Sequence, residues 1–369
     1  MFTARMDQVR AALAASGLDV LLLSVGPDLP WLIGYEAMPL ERLTMLVVPR
    51  DGTPSLVIPR LEVARVVPRP GLFDIVAWGE TEDPIAVVAA LAGPARAAAI
   101  GNRTWSQFLL ALQRAIPAQR WEPAGTVVGE LRRIKSPEEV EALARAAAGV
   151  DRVAAALQGG EIPLVGRTEA EVSAELGRRI VAEGHAKVNF AIVAAGENAA
   201  SPHHHASDRV IRAGEVVLCD FGGTTAEPHG VPGYCSDITR CVYTGEPPAE
   251  FAEAYAALQD AQALAVAGAH VGTPAEAVDA IARARLAANG LAEHFIHRIG
   301  HGIGVEEHED PYLVAGNSRP LEVGNAFSVE PGFYLDGRWG ARIEDIVVAT
   351  EAGPEALNTS DHRLVTVEA

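Results

Sequence analysis

Apolar residues recur at helical spacing from Arg5 to Ser16, and a short apolar run, Leu18 to Leu23, follows between Gly17 and Gly26. Leu43 to Val48 and Ser55 to Ile58 read as strands on either side of an Asp51-Gly52 turn. Pro84 to Leu91 and Trp105 to Ile116 return to the helical period. This alternation predicts a small α/β domain, and no cluster of catalytic residue types falls within it. The pattern breaks at Ile116-Pro117, and Pro123-Ala124-Gly125 marks the linker, so domains are expected over 1–125 and 126–369. Ser136-Pro137-Glu138-Glu139 then has the form of a helix start: a hydroxyl cap, proline at the first position and acids in the first turn. Two Ala-rich helical stretches end near Gly159 and Gly184. From Val188 the chain turns strand-rich, with helical interludes at Pro248–Ala269 and Pro274–Asn289. The larger domain is therefore predicted as α+β, and no repeat of 20–50 residues suggests a solenoid.

Composition fits that outline. A chain of 369 residues is long enough for two domains at roughly 150 residues each. With 49% hydrophobic and 21% charged residues it has an ordinary globular mix. A formal charge of −18 leaves no general basic surface, which excludes nucleic acid and anionic membrane as expected partners. Three cysteines, Cys219, Cys235 and Cys241, make no disulfide framework. Arg5, Asp7 and Arg10 interrupt the N-terminal segment, so no secretory signal is expected. No apolar run approaches the roughly 18 residues of a membrane span. These features predict a soluble, reduced, cytoplasmic protein. Residues 1–125 carry 11 arginines, no lysine and 12 acids, a balance of −1, which leaves −17 for 126–369.

Some of that excess sits where half-buried strands rarely place a charge. Asp220 ends the apolar run 216–219, and Asp237 falls mid-strand in Tyr234–Arg240. His301 stands among glycines in Gly300–Gly304. Glu330 ends the strand Ala326–Val329, and the run Ala341–Val348 puts Glu344 and Ile346 on one face, because strand side chains alternate. Singly, Asp220 or Glu330 is equally well explained as a salt-bridged or capping acid. Together, four carboxylates and an imidazole form a donor set that two divalent cations would neutralise. Such a set suits Mn, Co or Zn. Bridging carboxylates would hold two ions about 3.5–4 Å apart around a shared water.

The ordered motifs DFG (220–222), GYCSDITR (233–240), GHGIG (300–304), VEPG (329–332) and RIED (342–345) resemble those of the pita-bread metallopeptidases, the M24 family. Within it the chain is most similar to Xaa-Pro dipeptidases (prolidases) and Xaa-Pro aminopeptidases, and residues 1–125 fit their creatinase-type N-terminal domain. The resemblance implies an α+β pita-bread catalytic domain behind a smaller α/β domain. It makes Asp220, Asp237, His301, Glu330 and Glu344 the ligands of two divalent ions, manganese first, with Asp237 and Glu344 bridging. It makes Glu330 the general base. It places His203, His297 and His308 in the substrate pocket, the latter two as oxyanion donors, and Arg342 as a support from the last strand. It further implies a homodimer acting on a proline-containing dipeptide or short peptide. The proline imide nitrogen bears no hydrogen, so shape can select it.

Dipeptidases need a cation for the substrate carboxylate. Some prolidases supply an arginine where this chain has Tyr312, so Arg319, Arg338 and Arg342 are the candidates here. PYLVAGN and GRWGARIEDIV are nearer to bacterial dipeptidases. The alternative is an Xaa-Pro aminopeptidase acting on longer peptides, and behind it a non-catalytic scaffold, against which all five ligands stand. Creatinase, metal-free, fails on the same ground, and methionine aminopeptidase lacks the long N-terminal domain. The connection Gly223–Pro232 is longer than usual and is placed to reshape the pocket mouth. Within His203-His204-His205, a slip of one residue would turn a different ring inward. Asp220-Phe221-Gly222 also spells a kinase tripeptide, but no glycine-rich loop or catalytic-loop motif accompanies it. His297 and His301 do not form an HExxH pair, and Gly300–Gly304 lacks dinucleotide spacing. Cys219 and Cys235 read as small core fillers.

Overall fold

The computed structural model describes residues 1–368, which form two compact units. The first comprises residues 1–132 with Glu227–Pro232. Its six strands are β1 (Val20–Leu23), β2 (Met45–Pro49), β3 (Ser55–Pro59), β4 (Asp74–Trp78), β5 (Ala97–Ile100) and β6 (Arg120–Pro123). They form one mixed sheet in the order β4-β3-β2-β1-β5-β6, in which β2 is antiparallel to both its neighbours. The helices are α1 (Phe2–Ala15), α2 (Asp28–Ile33), α3 (Pro84–Ala92), α4 (Ser106–Ala115) and α5 (Val128–Arg132). Val88 of α3 and Leu112 of α4 pack into a core with Val20, Leu22, Val47 and Val57 from alternate sheet positions.

Residues 126–132, expected beyond the linker, belong to this first unit. Val128 is fully buried, and Arg132 pairs with Asp28 at 2.8 Å. Pro123-Ala124-Gly125 is therefore a turn inside the unit. Glu227–Pro232 also belongs to it, with Arg69 Nη2 donating to Gly230 O at 2.6 Å.

The second unit comprises 133–226 and 233 onward. It opens with α6 (Pro137–Gln158), whose start is the capping box read from the sequence: Ser136 Oγ accepts from Glu139 N, and Glu139 returns the bond to Ser136 N. Next comes α7 (Glu169–Ala182), capped the same way by Thr168 and Glu171. Strands β7 (His185–Ala195), β8 (Val216–Thr225), β9 (Ile238–Thr244) and the late β17 (Val365–Val367) form one sheet in the order β17-β9-β8-β7. Helices α8 (Ala249–Gly268) and α9 (Ala275–Ala287) follow. A five-stranded sheet has the order β11-β10-β12-β15-β16, from β10 (Gly300–Gly302), β11 (Glu309–Leu313), β12 (Ala326–Val329), β15 (Asp345–Thr350) and β16 (Gly353–Ala356). The hairpin β13 (Gly332–Leu335) and β14 (Trp339–Arg342) completes it.

Strand parity organises this unit. Val217, Cys219 and Phe221 of β8 pack with α6 and α7, whereas Val216 and Leu218 join the α8 and α9 core. Asp220 has the parity of the latter pair and extends their face past the end of the apolar packing. It stands in mid-strand, since β8 continues to Thr225. Asp237, expected mid-strand, instead precedes β9. The expected strand 341–348 is two strands, β14 and β15, broken at Ile343-Glu344. Pro331 has no N–H, so the ladder from Val329↔Asp345 to Gly332↔Arg342 cannot run unbroken. Glu344 instead bridges to Thr239 of β9.

Gly300 lets β10 approach β12 closely. A Cβ there would overlap the Ser328 carbonyl oxygen. Gly300→Ala is expected to destabilise the protein by about 1–3 kcal/mol and to displace His301. Thermal unfolding, read beside metal affinity, checks this, and unchanged values for both would contradict it.

Candidate metal centre and active site

Four carboxylates and one imidazole converge in a cavity of about 540 Å³ lined by residues of the second unit. Asp220 comes from β8, Asp237 from just before β9, His301 from β10, Glu330 from the β12–β13 break and Glu344 from the β14–β15 break. Asp220, Asp237, His301 and Glu344 are only 8%, 4%, 3% and 2% exposed. His203, His297, His308 and Arg342 line the same cavity. Every site residue expected from the sequence therefore faces one space.

Ligand atoms of Asp237, His301 and Glu344 lie within 4.8 Å of one another, a group able to hold a metal ion. His301 Nε2 lies 3.9 Å from Asp237 Oδ2 and 3.2 Å from Glu330 Oε1. Its Nδ1 faces Gly302 O at 3.2 Å. A proton on Nδ1 serves that carbonyl, and Nε2 then faces the acids, where a proton or a cation must sit between ring and carboxylate. A lone pair directed at carboxylates is repulsive unless a cation lies between them.

Arg342 is the one positive side chain inside the cluster. Its Nη2 meets Asp220 Oδ2 at 2.5 Å, and its Nε donates to Thr239 Oγ1 at 3.1 Å, which in turn donates to Glu344 Oε2 at 2.8 Å. One guanidinium cannot balance four carboxylates. Asp220 Oδ1 is buried with no hydrogen-bond partner among the described residues, a costly state unless something else binds it. An oxygen-rich donor set with one imidazole fits a hard-to-borderline divalent cation.

The electrostatics agree. Burial first, then the charges of Glu344, Asp220 and Glu330, push the Asp237 carboxyl well above its ordinary range. Burial and the charges of Glu330 and Asp220 do the same to Glu344. Burial also raises Asp220, against the pull of Arg342. Glu330 goes the other way: burial opposes ionisation, but the His301 hydrogen bond and the nearby cationic groups bring it down to about 2. Without metal, protons stay on Asp237 and Glu344 while Glu330 ionises.

The pocket histidines separate by their contacts. His297 Nδ1 faces Arg298 O at 2.7 Å and its Nε2 faces Tyr334 OH at 2.9 Å, so neither ring nitrogen is open to substrate. Tyr334 OH also accepts from Arg342 Nη1 at 2.7 Å, so its proton goes to His297. Burial lowers His297, keeping it neutral. His308 stacks on His301 with ring centroids 3.7 Å apart, and burial, then the His301 charge, lowers it to about 4. In the histidine triplet, His203 lines the cavity and His204 turns to Glu169 at 2.7 Å. None of residues 223–232 is among those that line the cavity. The cysteines are buried and free, with burial raising Cys235 and Cys241 to about 12, which removes them as nucleophiles.

Sequence reading missed Tyr334, Thr239, Ser328 and Asp345. Ser328 Oγ donates to Glu330 Oε1 at 3.0 Å. Asp345 is fully enclosed by Arg240 and Gln262, each at 2.7 Å, and Arg240 Nη1 holds Glu344 O at 2.7 Å. A charged pair at adjacent motif ends, Arg240 and Asp345, was the available signal.

Two α/β units, the second burying an acid-rich metal cavity, define a metal-dependent hydrolase. The chain belongs to Metallopeptidase family M24, which matches residues 140–351, while residues 5–134 match the Creatinase/Prolidase N-terminal domain. It is 44% identical over 371 residues to the "Probable dipeptidase PepE" of Mycobacterium tuberculosis, covering all of this chain and 97% of that one. The crystal structure of dipeptidase PepE from Mycobacterium ulcerans superposes with a TM-score of 0.91 at 44% identity, covering 100% of this chain and 98% of the other. That of a prolidase from Thermococcus sibiricus gives 0.91 at 34% identity, covering 100% and 99%. The pita-bread fold class expected from the sequence holds, and the protein is a metallopeptidase acting on peptides. Among the described residues no helix is long and apolar enough to cross a membrane.

Two outcomes are expected. Asp237→Asn lowers divalent-metal affinity at least tenfold in calorimetry; wild-type affinity would remove Asp237 from the centre. Because Asp237 and Glu344 carry raised carboxyls, these two groups bind more protons in the folded metal-free protein than in the unfolded chain. Their contribution to stability is full below the unfolded value of roughly 4 and falls as pH rises through the folded values. Saturating Mn should flatten this decline in thermal unfolding from pH 4 to 8, and identical curves with and without metal would contradict it.

Proposed function

We propose that this protein is an Xaa-Pro dipeptidase using two divalent ions held by Asp220, Asp237, His301, Glu330 and Glu344, with Asp237 and Glu344 shared between them. The observation that carries the reading is the gathering of the buried Asp220, Asp237 and Glu344 with the partly buried Glu330, one Asp220 oxygen partnerless, in a cavity large enough for a dipeptide. The dipeptidase and prolidase names of the relatives support it. Manganese is the working metal, ahead of cobalt or zinc. Three buried unpaired cysteines support a reducing, cytoplasmic setting, and the active form is a homodimer.

When bound, the metal pair supplies Lewis-acid polarisation of the scissile carbonyl and lowers the pKa of water. The remaining work belongs to the protein. Glu330, ionised and anchored by Ser328 Oγ, accepts the proton of the attacking water and delivers it to the proline nitrogen as the C–N bond breaks. His308, neutral and with no hydrogen-bond partner assigned to its ring, donates to the developing oxyanion. His203 contacts the substrate from the cavity wall. His297 is a positioning residue: it holds Tyr334, which braces Arg342 against Asp220. The apolar wall of Phe190, Ile192 and Ile296 receives the residue before proline.

An Xaa-Pro aminopeptidase would admit chain beyond the proline. Manganese-loaded protein is expected to cleave Xaa-Pro dipeptides at least about tenfold faster, in kcat/KM, than Xaa-Pro-Xaa tripeptides, the size of one lost charge-assisted contact. Faster tripeptide cleavage would assign it as an aminopeptidase. Cleavage of neither, with metal demonstrably bound, would overturn the proline-peptidase reading.

A further inference from the structure

The cavity contains a second guanidinium that the centre does not use. Arg298 lies between His297 and Gly300, where the chain enters β10, and lines the cavity with His203, Glu330 and His308. The other arginine there, Arg342, is committed to Asp220, Thr239, Tyr334 and the Pro202 carbonyl. Arg298 has no such commitment. Among the described residues its side chain makes no hydrogen bond or ion pair, and its guanidinium lies over the face of Tyr312, 4.4 Å from the ring centroid. Tyr312 lies on β11, which pairs with β10. The ring therefore fixes the guanidinium plane from the strand next door. It also leaves the N–H edges free, the arrangement that binds a carboxylate in bidentate fashion.

We infer that Arg298, held flat on Tyr312, binds the C-terminal carboxylate of the substrate and so makes the site a dipeptide site. This rests on the proline-dipeptidase reading above and deepens it. A dipeptide brings one carboxylate into a cavity whose floor holds four more, and that charge must be met away from the floor. Arg298 is the one guanidinium lining the cavity without an acid partner. The cations expected from the sequence do not serve. Arg338 is bound to Glu250 through two bonds of 3.1 and 2.7 Å, Arg319 is not among the lining residues, and Arg342 supports Asp220.

The test compares Ala-Pro with Ala-Pro-amide, which differ only in that carboxylate, on manganese-loaded full-length protein. Wild type is expected to prefer the free acid by about tenfold or more in kcat/KM, the size of one charge-assisted contact. In Arg298→Gln that acid-to-amide ratio falls about 10- to 100-fold, mainly through KM, and Arg298→Lys recovers part of it. Tyr312→Leu, which removes the platform without the charge, lowers the ratio too, while Tyr312→Phe keeps it. Free proline should also inhibit wild type more strongly than prolinamide does. An unchanged ratio in Arg298→Gln and Tyr312→Leu overturns the inference, as does a wild type indifferent to the amide. Wild type that cleaves neither compound with metal bound fails at the earlier step and overturns the peptidase reading itself.

Discussion

Three buried carboxylates, Asp220, Asp237 and Glu344, and a partly buried fourth, Glu330, lining one cavity are the constraint on which the second unit is built. Leaving that charge unpaired in a low-dielectric interior is costly enough that the groups must protonate or bind cations. Arg342 neutralises only part of it. One oxygen of Asp220 is buried without a partner, and His301 Nε2 faces Glu330 at 3.2 Å and Asp237 at 3.9 Å. The site is therefore organised around positive charge that the polypeptide does not itself supply.

The surrounding structure holds the acids in place. Asp220 and Thr239 face each other across β8 and β9, and Thr239 ties together Arg342 and Glu344. Behind Glu344, a buried layer of Arg240, Asp345 and Gln262, joined from its edge by the half-buried His362, fixes the backbone of the β14–β15 break. A buried ion pair of this kind adds little net stability, but removing one partner strands the other. Its use here is positional: the pair holds a backbone interruption whose strands could otherwise run on and turn Glu344 away. Tyr334 and His297 brace Arg342 on its other side.

Much of this was legible in the chain itself. Helix starts follow local chemistry, so Ser136-Pro137-Glu138-Glu139 could be read directly. The five candidate ligands stood out as acids in or beside apolar strands and a histidine among glycines, and the family resemblance joined them into one set. Strand interruptions were harder. The break at Ile343-Glu344 depends on Pro331 of another strand, and no local pattern reports a missing donor across a ladder. Pro123-Ala124-Gly125 has linker chemistry, whereas the first compact unit runs on to Arg132 through contacts such as the fully buried Val128, which no local pattern reports. The roles of His297 and Arg298 were not legible. They depend on which groups their side chains meet, and Tyr312, Tyr334 and Arg298 are brought together only by folding.

The most direct measurement is anomalous diffraction from crystals of the manganese-loaded protein, collected at the manganese absorption edge. Two separate anomalous peaks enclosed by Asp220, Asp237, His301, Glu330 and Glu344 are the predicted result. A single peak would contradict the dinuclear centre. No peak among these residues, with metal bound elsewhere on the chain, would contradict the claim that the buried acids exist to hold cations.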